Sequence, residues 1–284
     1  MPANRVTIFG GRLHPGIELS IKGQLPVSDE EVARNIKASP VEKFYRRVPV
    51  SEAKPHRLAV VGGGPSINKH IETLKNWPGD IWAVNGAFGW CRDHGIDAYL
   101  FACDPHPIVE RWAVGAKKAI LANTVQPSVF EMLKDADVTV FDADGRPDGI
   151  AGFGFTATCA PHLGGRMGHL AGITFFGCES SYNVGASHAY MDEGRTEELL
   201  IETADGDEFL TAPDFYIQAQ ELADQIRLFP EYLSEESGGL LRALIANPKF
   251  HVRWISDALA ENVRKLTAVY SAMGKTDELL KSLE

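Results

Sequence analysis

Several things are scarce in this chain, and each scarcity removes a class of function. Cysteine is limited to Cys91, Cys103, Cys159 and Cys178. These lie too far apart for a C-x-x-C metal or redox motif, and each sits in an apolar context that suits a reduced, buried thiol. Basic clusters are missing: Arg46-Arg47 and Lys117-Lys118 are isolated pairs, and the formal net charge of -10 opposes backbone phosphates. The expectation is therefore no nucleic-acid partner. No apolar run approaches membrane-spanning length, and the first residues lack a basic segment followed by an apolar core and a cleavage site, so a cytoplasmic location is the default expectation. There is no internal repeat and no low-complexity segment. What remains, 284 residues at 44% hydrophobic and 23% charged, is material for one large or two small domains.

The text becomes regular only from Arg57. Residues 1–54 read as an N-terminal extension with one short helix near Asp29 to Lys37. Leu58 to Val61 reads as a strand, and Ile67, Ile71 and Leu74 then recur at the spacing of one helix face that Trp77-Pro78-Gly79 ends. Further strands read at 81–84, 98–103, 118–121, 138–141 and 173–176, with helices at 90–94, 127–134 and 156–167. Short buried strands alternating with helices predict an α/β domain over residues 55–250, with a Rossmann-like, mostly parallel sheet covered by helices on both faces. Residues 199–203 and 208–211, joined across Asp205-Gly206, predict a small hairpin, and Pro213 opens a long amphipathic helix to about Phe229. A late strand at 251–255 and a helical tail complete residues 251–284. The tail could pack on the domain or on a second subunit, which leaves a homo-oligomer open.

Ligands in such sheets bind beyond the carboxyl ends of the strands, and the chemistry-bearing residues fall there. Val61-Gly62-Gly63-Gly64-Pro65-Ser66 is a strand, a glycine turn and a helix start. Gly62, Gly63 and Gly64 are expected to take positive φ and bring bare N–H groups to a phosphate, with the first turn and Ser66 adding donors. It matches neither G-x-G-x-x-G nor the P-loop. On this reading Gly64→Val abolishes ligand binding and spares the fold. Asn85 follows the second strand with an amide suited to a base or ribose; a helix cap accounts for it equally. Asp104 ends the third strand in Cys103-Asp104-Pro105-His106, offering a hard carboxylate to Mg²⁺ or forming an Asx turn. Thr156 and Thr158, after the glycines of 149–154, could donate to an anion or sugar. Glu179 follows the strand at 173–176 as an acid, and His188 in Ser187-His188-Ala189-Tyr190 suits proton transfer near neutral pH.

Three stretches together resemble a known family. They are VVGGGPSINKHIETLKNWPGDIWAVNGAFGWCRDHGIDAYLFACDPHP, then GFTATCAPHLGGRMGHLAGITFFGCESSY with SHAY, and then ETADGDEFLTAPDFY. Over residues 55 to 245 the chain looks like the MptE-like 6-hydroxymethylpterin diphosphokinase family, found in archaeal enzymes and in bacterial and phage proteins. The first two stretches also resemble the bacterial sialyltransferases of glycosyltransferase family 42, which share a G-x-G-P-S turn, an Asn after the second strand and a loop His acting as base.

The resemblance implies a nucleotide-binding transferase that moves a diphosphate or a sugar from ATP or a CMP-sugar to a small hydroxyl acceptor. It places Gly62, Gly64 and Ser66 on phosphates or ribose, Asn85 on the nucleoside, and Asp104 near the phosphates and any Mg²⁺. In the sialyltransferase version His188 deprotonates the acceptor; Tyr182 and Tyr190 stand in for tyrosines near the donor phosphate. Where family members carry an aspartate after the strand-ending glycine, this chain has Gly177-Cys178-Glu179. That departure leaves room for a third reading, a non-catalytic nucleotide-binding protein of phage origin.

Overall fold

In the computed structural model of the protein, the described residues are 4–9, 12–13, 27–40, 53–143, 155–182, 188–190, 199–202 and 207–246. The organising element is a seven-stranded sheet. Its strands are β3 (Leu58–Val61), β4 (Ile81–Val84), β5 (Tyr99–Ala102), β6 (Lys118–Ala122), β7 (Asp137–Phe141), β8 (Ile173–Phe176) and β11 (Leu233–Glu235). They lie in the order β11-β8-β3-β4-β5-β6-β7, and every neighbouring pair is parallel. The expected α/β architecture is therefore present. All four residues of β3 are buried: Leu58 and Val60 face one apolar core and Ala59 and Val61 the other, as a strand covered on both sides requires.

The chain steps outward from β3 through β4 to β7, then returns through β8 on the other side of β3. Between these two directions lies the switch point, where open α/β sheets form a crevice at the carboxyl ends of their strands. Helices α2 (Ile71–Lys75), α3 (Ala87–Asp93), α4 (Val109–Ala113) and α5 (Pro127–Met132) follow successive strands, and a 3-10 turn at Pro65–Lys69 precedes α2. Helix α6 (Thr156–Arg166) is buried over residues 156–165, and α7 (Pro213–Leu228) and α8 (Gly239–Ala246) pack beside it and each other. A proline at the first helical position of α7 costs nothing, because its missing N–H has no intrahelical partner there.

Three departures from the sequence reading stand out. The predicted helix from Ile67 to Leu74 is two pieces, a 3-10 turn and α2, broken at His70, whose N–H donates to Ile67 C=O at 2.9 Å. Strand β11 and helices α4 and α8, of three, five and eight residues, are elements that the sequence reading does not include. The hairpin of β9 (Leu199–Glu202) and β10 (Glu208–Thr211) is antiparallel as expected, but β1 (Asn4–Phe9) joins it in parallel and carries β2 (Arg12–Leu13) at its edge. A strand partner nearly two hundred residues away leaves no local pattern. Helix α1 (Asp29–Ala38) forms where expected, with Ser28 accepting from the Glu31 N–H at 3.2 Å and three acids in its first turn. The expected strand at 251–255, the helical tail and the glycines at 149–154 lie outside the described residues.

Candidate functional site

A cavity of about 900 Å³ opens at the carboxyl edge of the large sheet. Gly62, Gly63, Gly64, Asn85, Asp104 and His188, six of the residues singled out in the sequence, line it. Ser66, Thr156 and Glu179 are not among its lining residues; Thr156 bonds Asn85, Glu179 lies against Gly64, and Ser66 bonds Glu179.

The floor comes from the ends of β4 and β5. Asn85 is one of two non-glycine residues with positive φ among the described residues, at 51°; Ser180, also at 51°, is the other, and both line the cavity. A left-handed backbone costs a non-glycine residue about 1–2 kcal/mol, and such strain gathers where a site requires it. The Asn85 amide is fixed from behind. Cys103 N–H donates to Thr156 Oγ1 at 3.3 Å, and the Thr156 hydroxyl donates to Asn85 Oδ1 at 3.4 Å. This chain of donors sets the carbonyl toward Thr156 and leaves the Nδ2 amide for the cavity.

Asp104 is committed in the same half-way manner. Its Oδ1 accepts from the His106 N–H at 2.8 Å, closing an Asx turn, and Oδ2 is left over. Burial holds this carboxyl above its usual value, partly offset by that N–H and by the His106 ring. Next to it His106 accepts from the Ile108 N–H at 3.1 Å through Nδ1, which assigns the proton of the neutral ring to Nε2. The floor thus presents a donor at Asn85, an acceptor at Asp104 and a second donor at His106, each backed by a bond to the protein. His106 was missed in the sequence reading. The available signal was its position two residues after an aspartate whose side chain turns the chain back. Trp90 and Trp112 add aromatic wall; Trp90 is pinned by donation of its indole N–H to Asn68 Oδ1 at 3.1 Å.

The glycine turn is built differently from expectation. None of Gly62, Gly63 and Gly64 has positive φ, and Gly64 is extended at φ -65°, ψ 151°. Their amides are largely spent: Gly62 N–H donates to Phe176 C=O at 2.7 Å and Gly64 N–H to Gly177 C=O at 2.8 Å. Ser66 gives both its N–H and its hydroxyl to the Glu179 carboxyl, at 2.7 Å each. The turn therefore does not hold out a row of free donors to a phosphate. Glycine is needed there for close approach: a Cβ on Gly62 would meet Gly177 C=O, one on Gly63 the Tyr190 hydroxyl and the His188 ring, and one on Gly64 would collide with the Glu179 carboxyl.

Glu179, the acid expected after the strand at 173–176, is 4% exposed and lies against that turn. Ser180 is held in its strained backbone by Thr211, whose hydroxyl donates to Ser180 C=O at 2.6 Å, and by Gln218, whose amide donates to Ser180 Oγ at 3.2 Å. His188 and Tyr190 stack at 5.0 Å between ring centroids and pack over Gly63 and Gly86. Ala189 N–H donates to Gly63 C=O at 2.8 Å, which lays this segment across the turn. His188 also meets Phe215 edge to face at 5.8 Å. Tyr182 lies off the cavity, bridged to Leu210 of β10.

Thr158 is not among the lining residues; its hydroxyl donates to Phe155 C=O at 2.9 Å and it is 1% exposed. Thr156 is not among the lining residues, and its hydroxyl bonds Asn85. All four cysteines are free, with Cys91, Cys159 and Cys178 buried and Cys103 partly so. Burial pushes the Cys91 thiol up to about 12. Among the described residues no three His, Cys, Asp or Glu side chains are grouped to hold a metal ion. The open Asp104 oxygen is one hard ligand, which suits a Mg²⁺ whose remaining ligands are a substrate's phosphates and water.

No family model matches the chain, and no curated protein matches it. Among solved structures, it is similar to a MAf glycosyltransferase from Magnetospirillum magneticum AMB-1, with a TM-score of 0.52 at 19% identity. That match covers 87% of this chain and 43% of the other, so this chain spans less than half the length of that protein. At this identity the likeness is one of fold. Among the described residues no helix is long and apolar enough to cross a membrane.

Proposed function

We propose that this protein is a nucleotide-dependent transferase that passes a sugar or a diphosphate from a nucleotide donor to a hydroxyl acceptor. The observation that carries the reading is the convergence of Asn85, Asp104 and His188, from three separate elements, on one cavity beside the switch point. Asn85 takes the nucleoside through its open amide. Asp104 offers its second oxygen to the donor, directly or through Mg²⁺ and the phosphates. His188 accepts the acceptor's proton as its oxygen attacks, and the nucleotide leaves with the bonding electrons. Such chemistry needs positioning, a modest base and neutralisation of the leaving phosphate more than a covalent intermediate.

Of the two donor classes, the sugar nucleotide is favoured by the fold likeness to a glycosyltransferase. The ATP-dependent, diphosphokinase-like alternative rests on the sequence resemblance. Calorimetry with ATP, CTP, CMP and CMP-sialic acid, with and without Mg²⁺, tests the reading: one nucleotide is expected to bind at micromolar level, and silence across the panel overturns it. Product release during long incubation with hydroxyl acceptors then separates a transferase from a non-catalytic binding protein.

A further inference from the structure

Resting on the proposed nucleotide-dependent reading, we infer that the site reads the hydroxyl-bearing ribose of its ligand through Asn85, Asp104 and His106, and that Glu179 denies the ligand's phosphate a grip on the glycine turn. The turn and the floor lie on the same cavity but offer opposite things. On the floor, three lining residues each keep one polar atom after a bond to the protein: a donor at Asn85 Nδ2, an acceptor at Asp104 Oδ2 and a donor at His106 Nε2. A hydroxyl is both donor and acceptor, so a vicinal diol matches an acceptor beside a donor: one hydroxyl donates to Asp104 while its neighbour accepts from His106. A phosphate, which only accepts, would meet the Asp104 oxygen unfavourably unless a cation stood between them.

At the turn, the seat a phosphate would need is already filled. The Glu179 carboxyl takes both Ser66 donors at 2.7 Å and presses against Gly64 so closely that no Cβ fits between them. The Gly62 and Gly64 amides are engaged by main-chain carbonyls of 176 and 177, and Pro65 has no N–H to give. An incoming phosphate would have to displace a buried carboxylate from its two bonds, and like charges disfavour their sharing the turn. Glu179 is thus a specificity-determining residue by exclusion and His106 one by recognition.

The test uses the full chain and two matched sets of probes: cytidine, CMP and 2′,3′-dideoxycytidine, and adenosine, AMP and 2′,3′-dideoxyadenosine. For whichever base binds, the nucleoside and its monophosphate are expected within about threefold of each other, whereas loss of both ribose hydroxyls weakens binding at least tenfold. His106→Ala should cost the ribonucleoside about tenfold and the dideoxynucleoside nothing further, and His106→Gln, which restores a donor, should recover part of the loss. Glu179→Ala should make the monophosphate bind at least fivefold tighter than the nucleoside. A wild-type preference for the monophosphate above about thirtyfold, or indifference to the ribose hydroxyls, overturns this inference while leaving the transferase reading standing. Absence of binding by every probe, together with silence of the wider nucleotide panel, overturns both.

Discussion

Two parts of the same cavity wall can be set side by side: the turn after β3 and the floor after β4 and β5. Both are strand ends, and both are rich in residues that bind ligands elsewhere. At the turn, nearly every donor is answered from within the protein, by Phe176 and Gly177 carbonyls and by the Glu179 carboxyl. On the floor, Asn85, Asp104 and His106 each spend one polar atom on the protein and keep one. The difference teaches that residue type marks a binding site less well than residual hydrogen-bonding capacity does. A fully answered group rigidifies, whereas a half-answered one is aimed.

The largest effect that would break this comparison belongs to the turn. Gly64→Val should destabilise the fold by about 3 kcal/mol, because the new side chain collides with a buried carboxyl that is itself bonded to Ser66. Thermal melts against wild type check it. Replacing Glu179 with Ala in the same chain should return part of that loss by vacating the space. A Gly64→Val protein that melts as wild type and has merely lost ligand binding would restore the older picture of the turn as an open anion cradle.

The second effect belongs to the floor. Asp104→Asn keeps the Asx turn, since the amide oxygen can still accept from His106 N–H, but it offers NH₂ where the carboxylate offered an acceptor. Ligand affinity should fall by about 2 kcal/mol, roughly thirtyfold, with little change in melting temperature. Titration sharpens this. Burial raises the Asp104 value above the ordinary 3.8, so the folded state holds this proton more tightly than the unfolded chain does. Ionisation therefore costs stability as pH rises from 3.8 through the raised value, and the acceptor needed for binding is lost as pH falls back through it. Affinity measured down the acidic limb should drop for wild type and stay flat for Asp104→Asn.

These expectations also mark what the sequence could and could not carry. The parallel sheet was legible because β3, β4, β5 and β8 are short, apolar and separated by helical spacing, each a local signal. Asn85 and Asp104 were legible because strand ends are where such sheets bind ligands. The state of the glycine turn was not, since it is decided by Glu179, more than a hundred residues away, and no local pattern reports which carboxyl will reach Ser66. His106 was hidden for a smaller reason: its value as a donor depends on Ile108 N–H fixing the ring tautomer. The parallel pairing of β1 with β9 belongs to the same long-range class as Glu179.

A third and milder perturbation acts behind the floor. Thr156→Val keeps the shape of the side chain and removes the hydroxyl that holds Asn85 Oδ1. The amide is then free to flip, so about half of its orientations present the wrong atom to the ligand. Affinity should weaken about three- to tenfold, while the protein's response to Asp104→Asn stays unchanged. Because Cys103 N–H would also lose its acceptor, a melting-temperature loss of a few degrees is expected alongside. Unaltered affinity would mean that the left-handed backbone alone aims Asn85.

The smallest effect on binding tests whether position at a strand end is sufficient. Asn85, Asp104, Asn123 and Asp142 follow the ends of β4, β5, β6 and β7 at intervals of nineteen residues, and by residue type the last two repeat the first two. Their bonding differs. Asn123 is 0% exposed and donates to Asp142 Oδ1 at 2.6 Å, while its own oxygen accepts from Ala143 N–H at 3.1 Å. Helix α1 closes over them, with the Asn35 amide donating to Thr124 C=O at 3.0 Å and Gln126 to Glu31 at 3.1 Å. Asn123 therefore resembles the turn, not the floor, in having its amide answered on both sides. Asn123→Ala should cost about 1–3 kcal/mol of stability, the expense of leaving buried partners unmatched, and should change nucleotide affinity less than twofold. An Asn123 variant that folded normally and bound tenfold more weakly would show that the ligand reaches beneath α1, and the boundary drawn between aimed and answered groups would have to move one strand outward, from β5 to β6.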